Sequence, residues 1–299
     1  MRSSRRSGPD NSMRQRSRPR ELVRLGAERL QAAGVEQAGS DAAWLLAQLL
    51  HTTPIELYLT ESPAEPSLIE RFFAKIEDRA SGTPLQYLVG ETAFLGQTIR
   101  VRPGVFIPRP ETEAMLDHAV QALRARELTA NRPLRIAEVG TGSGCIAIAL
   151  AQALPTCAVV AVEVSWEALL AAQENVRRHG LIGRVALVQG RWLSPIQGGV
   201  DAIVANPPYL SSAQVDQLPI EVRQEPRVSL DGGPDGLRDL LEIMAEAPRV
   251  LLPGGLLVME CGEEQAGDLA QRALAARWVK RAVPLHDLAG RPRGVLVSA

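Results

Sequence analysis

From residue 134 to the C terminus, the sequence alternates between short apolar segments and longer amphipathic ones. The short segments have the length and the β-branched composition of buried strands, and the longer ones carry apolar residues at helical spacing. The predicted strands are Leu134–Val139, Ala158–Glu163, Val185–Val188, Ala202–Ala205, Leu256–Glu260 and Gly294–Ser298. Because helices that connect successive strands make those strands parallel, this alternation predicts an α/β fold with a doubly wound, mostly parallel sheet.

The sequence before this alternation predicts two smaller parts. Three amphipathic segments between residues 21 and 86 indicate a small N-terminal all-α domain. Thr92–Leu95 and Ile99–Val101 flank a turn at Gly96, a pattern typical of a β-hairpin, and we assign this hairpin to a linker of residues 87–109. A helix is expected after Pro110, where the large α/β domain of residues 110–299 begins.

Residues 1–20 differ from the remainder of the chain. They carry seven arginines among serine, glycine, proline and asparagine, with almost nothing apolar. Because such a segment has too little apolar surface to form a core, we expect a disordered basic tail. A solvated tail, or a translation start at Met13, fits this composition better than a transit peptide or an arm that contacts RNA.

Charge and composition argue against several classes of protein. The formal net charge is −1, and residues 21–100 hold eleven acids against six bases, so we expect no direct nucleic-acid partner. No apolar run is long enough to span a membrane, so we expect no membrane partner. Cys145, Cys157 and Cys261 lack metal-ligand spacing, and the four histidines do not cluster. We therefore expect a cytoplasmic protein with reduced thiols and no metal site.

The first predicted strand runs into a glycine-rich turn of Gly140, Thr141, Gly142, Ser143 and Gly144. Glycine is needed where the backbone turns sharply or approaches a ligand closely, and the next helix offers unpaired N–H groups at its N terminus. Cys145 stands where a dinucleotide fingerprint requires its last glycine, which favours a nucleoside with a small zwitterionic tail over a pyrophosphate-bearing cofactor. Glu163 ends the next strand, where a carboxylate can accept hydrogen bonds from both ribose hydroxyls.

A second loop follows the fourth predicted strand and consists of Asn206, Pro207, Pro208 and Tyr209. Ligands of doubly wound sheets bind outside the carboxyl ends of the strands, so this loop and the glycine-rich turn should border one crevice. The residue types of this loop suit a reaction at an amide-type NH₂. Such a group is a weak nucleophile and needs acceptors for both of its N–H groups. We expect the Asn206 side-chain oxygen and the Pro207 carbonyl to be those acceptors, with the prolines holding the loop rigid. Tyr209 would then stack on the planar substrate group.

The glycine-rich turn, Glu163 and the Asn-Pro-Pro-Tyr loop resemble the class I S-adenosylmethionine-dependent methyltransferases that modify amino groups. Further segments narrow the resemblance to the HemK/PrmC family, the release factor glutamine methyltransferases. These segments are Gly82–Gly90, Phe106–Glu113, Arg223–Pro226 and Leu230–Leu237. The similarity covers about residues 21–299. The Asn-Pro-Pro-Tyr loop is shared with adenine methyltransferases, whereas Phe106–Glu113 is the more specific signal.

The resemblance implies a seven-stranded Rossmann-like methyltransferase sheet and S-adenosyl-L-methionine as the cofactor. It implies methylation of the side-chain nitrogen, N5, of the glutamine in the Gly-Gly-Gln motif of class 1 peptide chain release factors. Trp192 would lie against the cofactor, Asn206 would touch both cofactor and substrate, and Phe106 would shape the pocket near the transferred methyl. The family commonly has aspartate before the tryptophan, where this chain has Arg191, so a contact to the adenine amino group should be lost or come from elsewhere.

Other functions account for parts of the pattern. An adenine-N6 nucleic-acid methyltransferase acts on a similar NH₂, but it must flip a base and hold a phosphate backbone, which the acidic balance of residues 21–100 disfavours. A cofactor-binding module without activity would not need an intact Asn-Pro-Pro-Tyr loop. Within the same family group, the target could be a glutamine of a ribosomal protein. We expect the helical segment 21–86 to dock the protein substrate.

Overall fold

The computed structural model describes residues 17–128 and 130–299. The chain divides into two compact units, of which the first ends at Gly90 and the second begins at Glu91. Each unit has its own buried core of apolar side chains.

Four described α-helices build the first unit. They are α1 (Pro19–Ala32), α2 (Ala38–Leu50), α3 (Pro66–Ala80) and α4 (Leu85–Val89), with a 3-10 turn at Glu56–Tyr58. The largest fully buried side chains of their core are Leu22, Leu30, Leu45, Leu46, Leu57, Phe72 and Ile76. A Cβ added at Gly26 of α1 would lie 2.7 Å from Phe72 Cζ of α3. This close approach explains a glycine inside a helix, where it otherwise costs stability.

The first helix begins inside the segment that the sequence predicts to be a disordered tail. Pro19 occupies the first helical turn, and the Arg18 backbone N–H donates to Glu21 Oε2 at 3.0 Å. Proline at this position needs no hydrogen bond and has the helical φ already, so it starts the helix without cost. The boundary of the tail at residue 20 is therefore wrong by two residues, and residues 1–16 of the predicted tail lie outside the described residues.

The predicted hairpin is confirmed as β1 (Glu91–Phe94) and β2 (Gln97–Arg100), which pair antiparallel. It belongs to the second unit, so the segment 87–109 is not a separate linker. The buried Asn175 side chain accepts from the Arg100 backbone N–H and donates to the Arg100 carbonyl, both at 2.9 Å. These bonds attach the hairpin to the helix that carries Asn175.

The sheet of the second unit has seven described strands in the order β5-β4-β3-β6-β7-β9-β8. Their bounds are β3 (Arg135–Val139), β4 (Ala158–Glu163), β5 (Val185–Gln189), β6 (Val200–Ala205), β7 (Leu251–Glu260), β8 (Arg281–His286) and β9 (Pro292–Ser298). The first five strands of that order are parallel, and β9 and β8 are antiparallel to their neighbours. The seven-stranded, mostly parallel sheet is therefore confirmed.

The sequence prediction omits β8, the last strand at one edge of the sheet. Pro284 stands in its middle, and a proline in a short apolar run argues against a strand. An edge strand tolerates proline because one side of its backbone has no strand to bond. The position at the edge, which the sequence does not reveal, allows this segment to be a strand.

Helices cover both faces of the sheet. They are α5 (Pro110–Glu127), α6 (Cys145–Ala153), α7 (Trp166–Arg178), α8 (Ser212–Asp216), α9 (Arg238–Val250) and α10 (Gln265–Leu274). Alternate strand residues such as Val139 and Ala205 pack with α9 and α10 in one core cluster. Ile136 and Val204 of the same two strands, which point to the opposite face, are buried as well. This two-sided burial is the doubly wound arrangement that the alternation predicts.

Candidate active site

The order of the strands creates a crevice between β3 and β6. From β3 the chain proceeds outward through β4 to β5, and it then returns to the other side of β3 as β6. Because the crossovers on the two sides of β3 diverge, the carboxyl ends of β3 and β6 border an open switch point, where ligands of such sheets bind. Val139 at the end of β3 is paired with Ala205 at the end of β6. The glycine-rich turn and the Asn-Pro-Pro-Tyr loop therefore start side by side.

A cleft of about 980 Å³, its open mouth included, lies at this switch point. Most of the predicted site residues line it, namely Phe106, Gly140, Thr141, Gly142, Ser143, Glu163, Trp192, Asn206 and Pro208. Gly144, Pro207 and Tyr209 are not among the lining residues. The structure thus brings together parts of the turn, of the loop and of the family motif that begins at Phe106.

The glycines of the turn have different environments. Gly142 has a φ of 54°, and an added Cβ would meet nothing within 4 Å, so its surface is open to the cleft. Gly144 has a φ of 84°, and a Cβ there would lie 3.3 Å from the backbone of Ala172 in α7. Gly142 therefore leaves room for a ligand, whereas Gly144 is glycine because α7 packs against it.

Glu163 at the end of β4 lies against the turn. Its Oε2 accepts from the Gly142 N–H and its Oε1 accepts from the Ser165 N–H, each at 2.9 Å. The side chain is buried and lines the cleft. Each carboxylate oxygen can accept more than one hydrogen bond, so the carboxylate can hold the turn and still receive a hydroxyl.

Glu138, the residue before Val139 in β3, is a candidate that the sequence analysis did not assign. It is completely buried, and neither of its carboxyl oxygens has a partner with hydrogen-bond geometry among the described residues. The hydroxyls of Thr141 and Ser143 are buried and unpartnered in the same sense. Burial raises the pKa of Glu138 to about 8. An acid ending an apolar strand before a glycine-rich turn is the signal that could have identified it. Thr141 and Ser143 line the cleft, whereas Glu138 lies behind its wall. Unsatisfied buried groups in and behind such a wall suit a ligand that brings hydrogen-bond donors and positive charge.

Asn206 is oriented by a residue of the Phe106–Glu113 motif. Its Nδ2 donates to Oγ1 of the buried Thr112, in the first turn of α5, at 3.0 Å. Because the Asn206 amide nitrogen is used in this way, its Oδ1 is the atom free to accept a hydrogen bond from a ligand. Thr112 also lines the cleft, although the sequence analysis gave it no role.

Tyr209 is held beside the cleft. Its hydroxyl donates to Oε1 of Glu260, the last residue of β7, at 3.1 Å, and its ring packs against the core. Burial, together with the negative charge of Glu260, raises the pKa of Tyr209. In this arrangement Pro208 contributes to the wall of the cleft and Tyr209 supports the loop from behind.

A buried carboxylate fastens the segment that carries Phe106. Glu225 Oε2 accepts from the Ile107 N–H at 2.9 Å, and Glu225 Oε1 forms an ion pair with Arg109. The Arg109 guanidinium in turn lies 5.1 Å from the centre of the Phe106 ring. Glu225 belongs to the Arg223–Pro226 motif, so two segments of the family pattern meet here. Burial raises the pKa of Glu225, against the opposing effect of Arg109.

Arg191 points its charge toward α9. Its Nε donates to Glu242 at 2.9 Å and its Nη2 donates to the buried Asp239 at the same distance. Its guanidinium also lies 5.4 Å from the centre of the Trp192 ring. Asp239 also lines the cleft. An aspartate is therefore present at the end of the cleft where Arg191 and Trp192 lie, although residue 191 itself is arginine.

Two further properties bear on the class of site. No group of three or more potential metal ligands occurs among residues 17–128 and 130–299. Within the same residues, no helix is both long enough and apolar enough to cross a bilayer.

Comparison with known proteins places this site in a family context. A PrmC N-terminal domain model matches residues 21–90, and a methyltransferase small domain model matches residues 96–222. The release factor glutamine methyltransferase of Moorella thermoacetica is 41% identical over 92% of this chain and 96% of its own length. The protein of that name from Nitratidesulfovibrio vulgaris is 39% identical over 83% and 84%.

The solved structure of the hMettl16 catalytic domain in complex with MAT2A 3′UTR hairpin 6 is similar with a TM-score of 0.54. It is 17% identical, and the match covers 75% of this chain and 81% of that one. At this identity the likeness concerns the fold alone.

Proposed function

Because this chain belongs to the release factor glutamine methyltransferase family, we propose that it methylates a glutamine side chain of a protein substrate. The methyl donor in this proposal is S-adenosyl-L-methionine, and the acceptor is N5 of the glutamine in the Gly-Gly-Gln motif of class 1 peptide chain release factors. The reaction would take place in the cytoplasm. The observation that carries the proposal is the orientation of Asn206, whose Oδ1 is left free in the cleft that Gly142 also lines.

The residues around the glycine-rich turn suit S-adenosyl-L-methionine, which supplies a methyl group on a positively charged sulfur when bound. Gly142 leaves open space, and Glu163 can accept from ribose hydroxyls. The unpartnered carboxyl of Glu138 and the hydroxyls of Thr141 and Ser143 match a ligand end with an amino group and a carboxylate. In this proposal Trp192 packs against the adenine and Asp239 lies at that end of the cleft.

The reactive nitrogen needs two acceptors. In the proposed complex, Asn206 Oδ1 accepts from one N–H of the glutamine amide and the Pro207 carbonyl accepts from the other. As the new N–C bond formed and the sulfur–methyl bond of the donor broke, the nitrogen would become positive and both N–H groups would become stronger donors, until one of these two protons left to give the neutral N-methyl amide. The two hydrogen bonds are then stronger in the transition state than in the ground state, which is the condition for catalysis. Phe106 and Pro208 would enclose the flat amide.

Mass spectrometry of a purified release factor tests this proposal. The release factor is incubated with the protein and S-adenosyl-L-methionine, and we expect a gain of one methyl group on the glutamine of its Gly-Gly-Gln motif. A release factor with that glutamine replaced by alanine serves as the control. The proposal would be contradicted if the wild-type release factor stayed unmodified while the protein methylated a ribosomal protein or adenine.

The adenine alternative receives no support from a specific feature of the site. The likeness to the catalytic domain solved with an RNA hairpin concerns the fold and gives no information about the substrate of this protein. The acidic balance of residues 21–100 remains unfavourable for a phosphate backbone.

We further propose that the first unit docks the release factor. Around its 3-10 turn, Ile55, Tyr58 and Leu59 expose 74%, 57% and 78% of their surface. Large apolar side chains that follow one another at this exposure are uncommon on a surface that contacts only water, and they suit a protein partner.

A further inference from the structure

The end of the Asn-Pro-Pro-Tyr loop is held through its backbone. The Tyr209 carbonyl accepts a hydrogen bond from Gln265 Nε2 at 3.0 Å. The N–H of the next residue, Leu210, donates to the Leu230 carbonyl at 3.1 Å, and the Leu210 carbonyl accepts from the Gly232 N–H at 2.8 Å. The loop therefore runs into a short backbone pairing, and a side-chain amide bonds its last carbonyl.

Gln265 is the first residue of α10, and both ends of its side-chain amide are used. Its Oε1 accepts from the Gly262 N–H at 2.8 Å, just beyond the end of β7. Because a donor occupies Oε1, the amide has to turn Nε2 toward the Tyr209 carbonyl, which can only accept. The side chain thus bridges the segments that leave the sheet from β7 and from its parallel neighbour β6.

Two glycines allow the backbones around this bridge to approach each other closely. A Cβ added at Gly236 would overlap the Tyr209 carbonyl oxygen and would lie 2.8 Å from Gln265 Nε2. A Cβ added at Gly232 would lie 2.6 Å from the Pro208 carbonyl oxygen. The carbonyls of the last two loop residues are therefore enclosed on this side, and Gln265 supplies the donor for the second of them.

We propose that Gln265 is a positioning residue for methyl transfer, which fixes the direction of the Pro207 carbonyl by holding the Tyr209 carbonyl. This inference rests on the proposed function, in which the Pro207 carbonyl accepts from the substrate amide. Gln265 is not among the residues that line the cleft, and in this role it touches neither cofactor nor substrate.

The two prolines explain how a hydrogen bond at the end of the loop acts on its second residue. The loop starts at the end of β6, where Ala205 is paired with a strand on each side. The rings of Pro207 and Pro208 fix φ, so few torsions remain between this start and the bond at Tyr209. With both ends held, the peptide plane that carries the Pro207 carbonyl has little freedom. Release of the far end lets this plane turn, and its oxygen no longer meets the N–H of the substrate.

The first test compares turnover of the wild type with that of Gln265→Leu. Leucine has nearly the size of glutamine but no donor, so we expect kcat to fall about 10- to 100-fold, as for a reactive group displaced by roughly 1 Å. Affinity for S-adenosylhomocysteine, measured by calorimetry, should change less than about twofold, because the glycine-rich turn is untouched. Gln271→Leu, at an exposed position of α10, is the control. A wild-type kcat in Gln265→Leu would overturn the inference.

Gln265→Glu separates a positioning role from a packing role. The carboxylate has no donor for the Tyr209 carbonyl, whereas the protonated carboxyl regains one and can still accept from Gly262. The kcat of this variant relative to the wild type should therefore rise as the pH falls toward the pKa of the new carboxyl, ordinarily about 4.3. The adjacent Glu263 and Glu264 favour protonation, since like charges raise such a pKa. Gln265→Leu cannot titrate and should show no rise. Equally flat ratios in both variants would overturn the inference.

A measurement without turnover separates this inference from the proposed function. Pro208-Tyr209 is the only proline–tyrosine pair in the sequence, so isotope labels on proline carbonyls and tyrosine nitrogens select a single magnetic resonance signal from the loop. We expect this signal to shift in Gln265→Leu and to keep its wild-type position in Gln271→Leu. An unshifted signal in Gln265→Leu would overturn the inference, even if the release factor is methylated. A shifted signal together with an inactive wild type would overturn only the proposed function.

Discussion

Asn206 donates its side-chain N–H to Thr112 at 3.0 Å, although 94 positions separate these residues in the chain. Thr112 lies at the start of α5, and Asn206 follows β6, a strand in the middle of the sheet. The helix that precedes the sheet in the chain therefore orients a residue at the centre of the sheet. The bond makes Oδ1 of Asn206 the free polar atom of that side chain. The reactivity of the Asn-Pro-Pro-Tyr loop therefore depends on a residue from the Phe106–Glu113 motif.

Replacing Asn206 by alanine should abolish most of the turnover. The variant lacks the oxygen that accepts from the substrate amide, and loss of one such aligned contact lowers kcat by roughly 10²- to 10³-fold. Cofactor affinity should change much less, because the glycine-rich turn and Glu163 are untouched. Methylation of a release factor gives kcat, and calorimetry with S-adenosylhomocysteine gives the affinity. Asn131→Ala, at an exposed loop position, is the matched control. Near-normal kcat in Asn206→Ala would contradict the proposed mechanism.

Removal of the Glu225 side chain should loosen the wall of the cleft. Glu225→Ala leaves the buried Ile107 N–H and the Arg109 guanidinium without their acceptor. We expect the free energy of unfolding to fall by about 1–3 kcal/mol, as for a buried donor that loses its partner. The KM for the release factor should rise because Phe106 is no longer held. Urea unfolding and initial rates measure the two effects, and Glu36→Ala at an exposed position is the control. An unchanged KM would mean that the segment is held without Glu225.

The protein without cofactor should lose stability as the pH rises from about 5 to 8, and Glu138 should account for part of this loss. Burial raises the pKa of its carboxyl from 4.5 to about 8, so in this range the folded protein keeps a proton that the unfolded chain releases. Because the folded protein binds more protons than the unfolded chain in this range, its free energy of unfolding falls as the pH rises. The contribution of Glu138 to stability is therefore complete below pH 4.5 and is lost as the pH rises through about 8.

Glu138→Gln removes this proton and should flatten the decline. Glu260 and Glu225 also have raised pKa values, so a shallower slope remains. Urea unfolding at several pH values measures the effect, with Glu70→Gln on the exposed face of α3 as the control. A slope as steep as that of the wild type would show that Glu138 is ionised in the folded protein.

Polar substitutions in the exposed apolar turn should weaken docking alone. In Ile55→Ser/Leu59→Ser we expect the KM for the intact release factor to rise about tenfold, the effect of losing ~1.4 kcal/mol of apolar contact. The kcat should stay the same, and so should kcat/KM for a free Gly-Gly-Gln tripeptide, which lacks the part of the release factor that would dock on this turn. Leu288→Ser changes a fully exposed leucine of the second unit and is the control. If the double variant keeps the wild-type KM for the intact protein, this surface is not where the release factor docks.

Much of the fold could be read from local patterns, because strands and helices of this domain have clear periods and lengths. The bounds of β4 agree with the prediction at both ends. The errors arose where tertiary context overrides a local rule. Pro284 is tolerated because β8 is an edge strand, and the hairpin is part of the second unit because Asn175 bonds Arg100.

The sequence by itself determined the location of the site. Gly140–Gly144 and Asn206–Tyr209 each follow a buried strand, and the handedness of crossover connections brings such loops to one edge of a parallel sheet. Only the tertiary structure decided how the site is held, through the hydrogen bonds that Asn206 donates to Thr112, Ile107 to Glu225 and Tyr209 to Glu260. These side chains come from elements far apart in the chain. Their contacts depend on strand register and on the packing of buried polar groups, which no local pattern encodes.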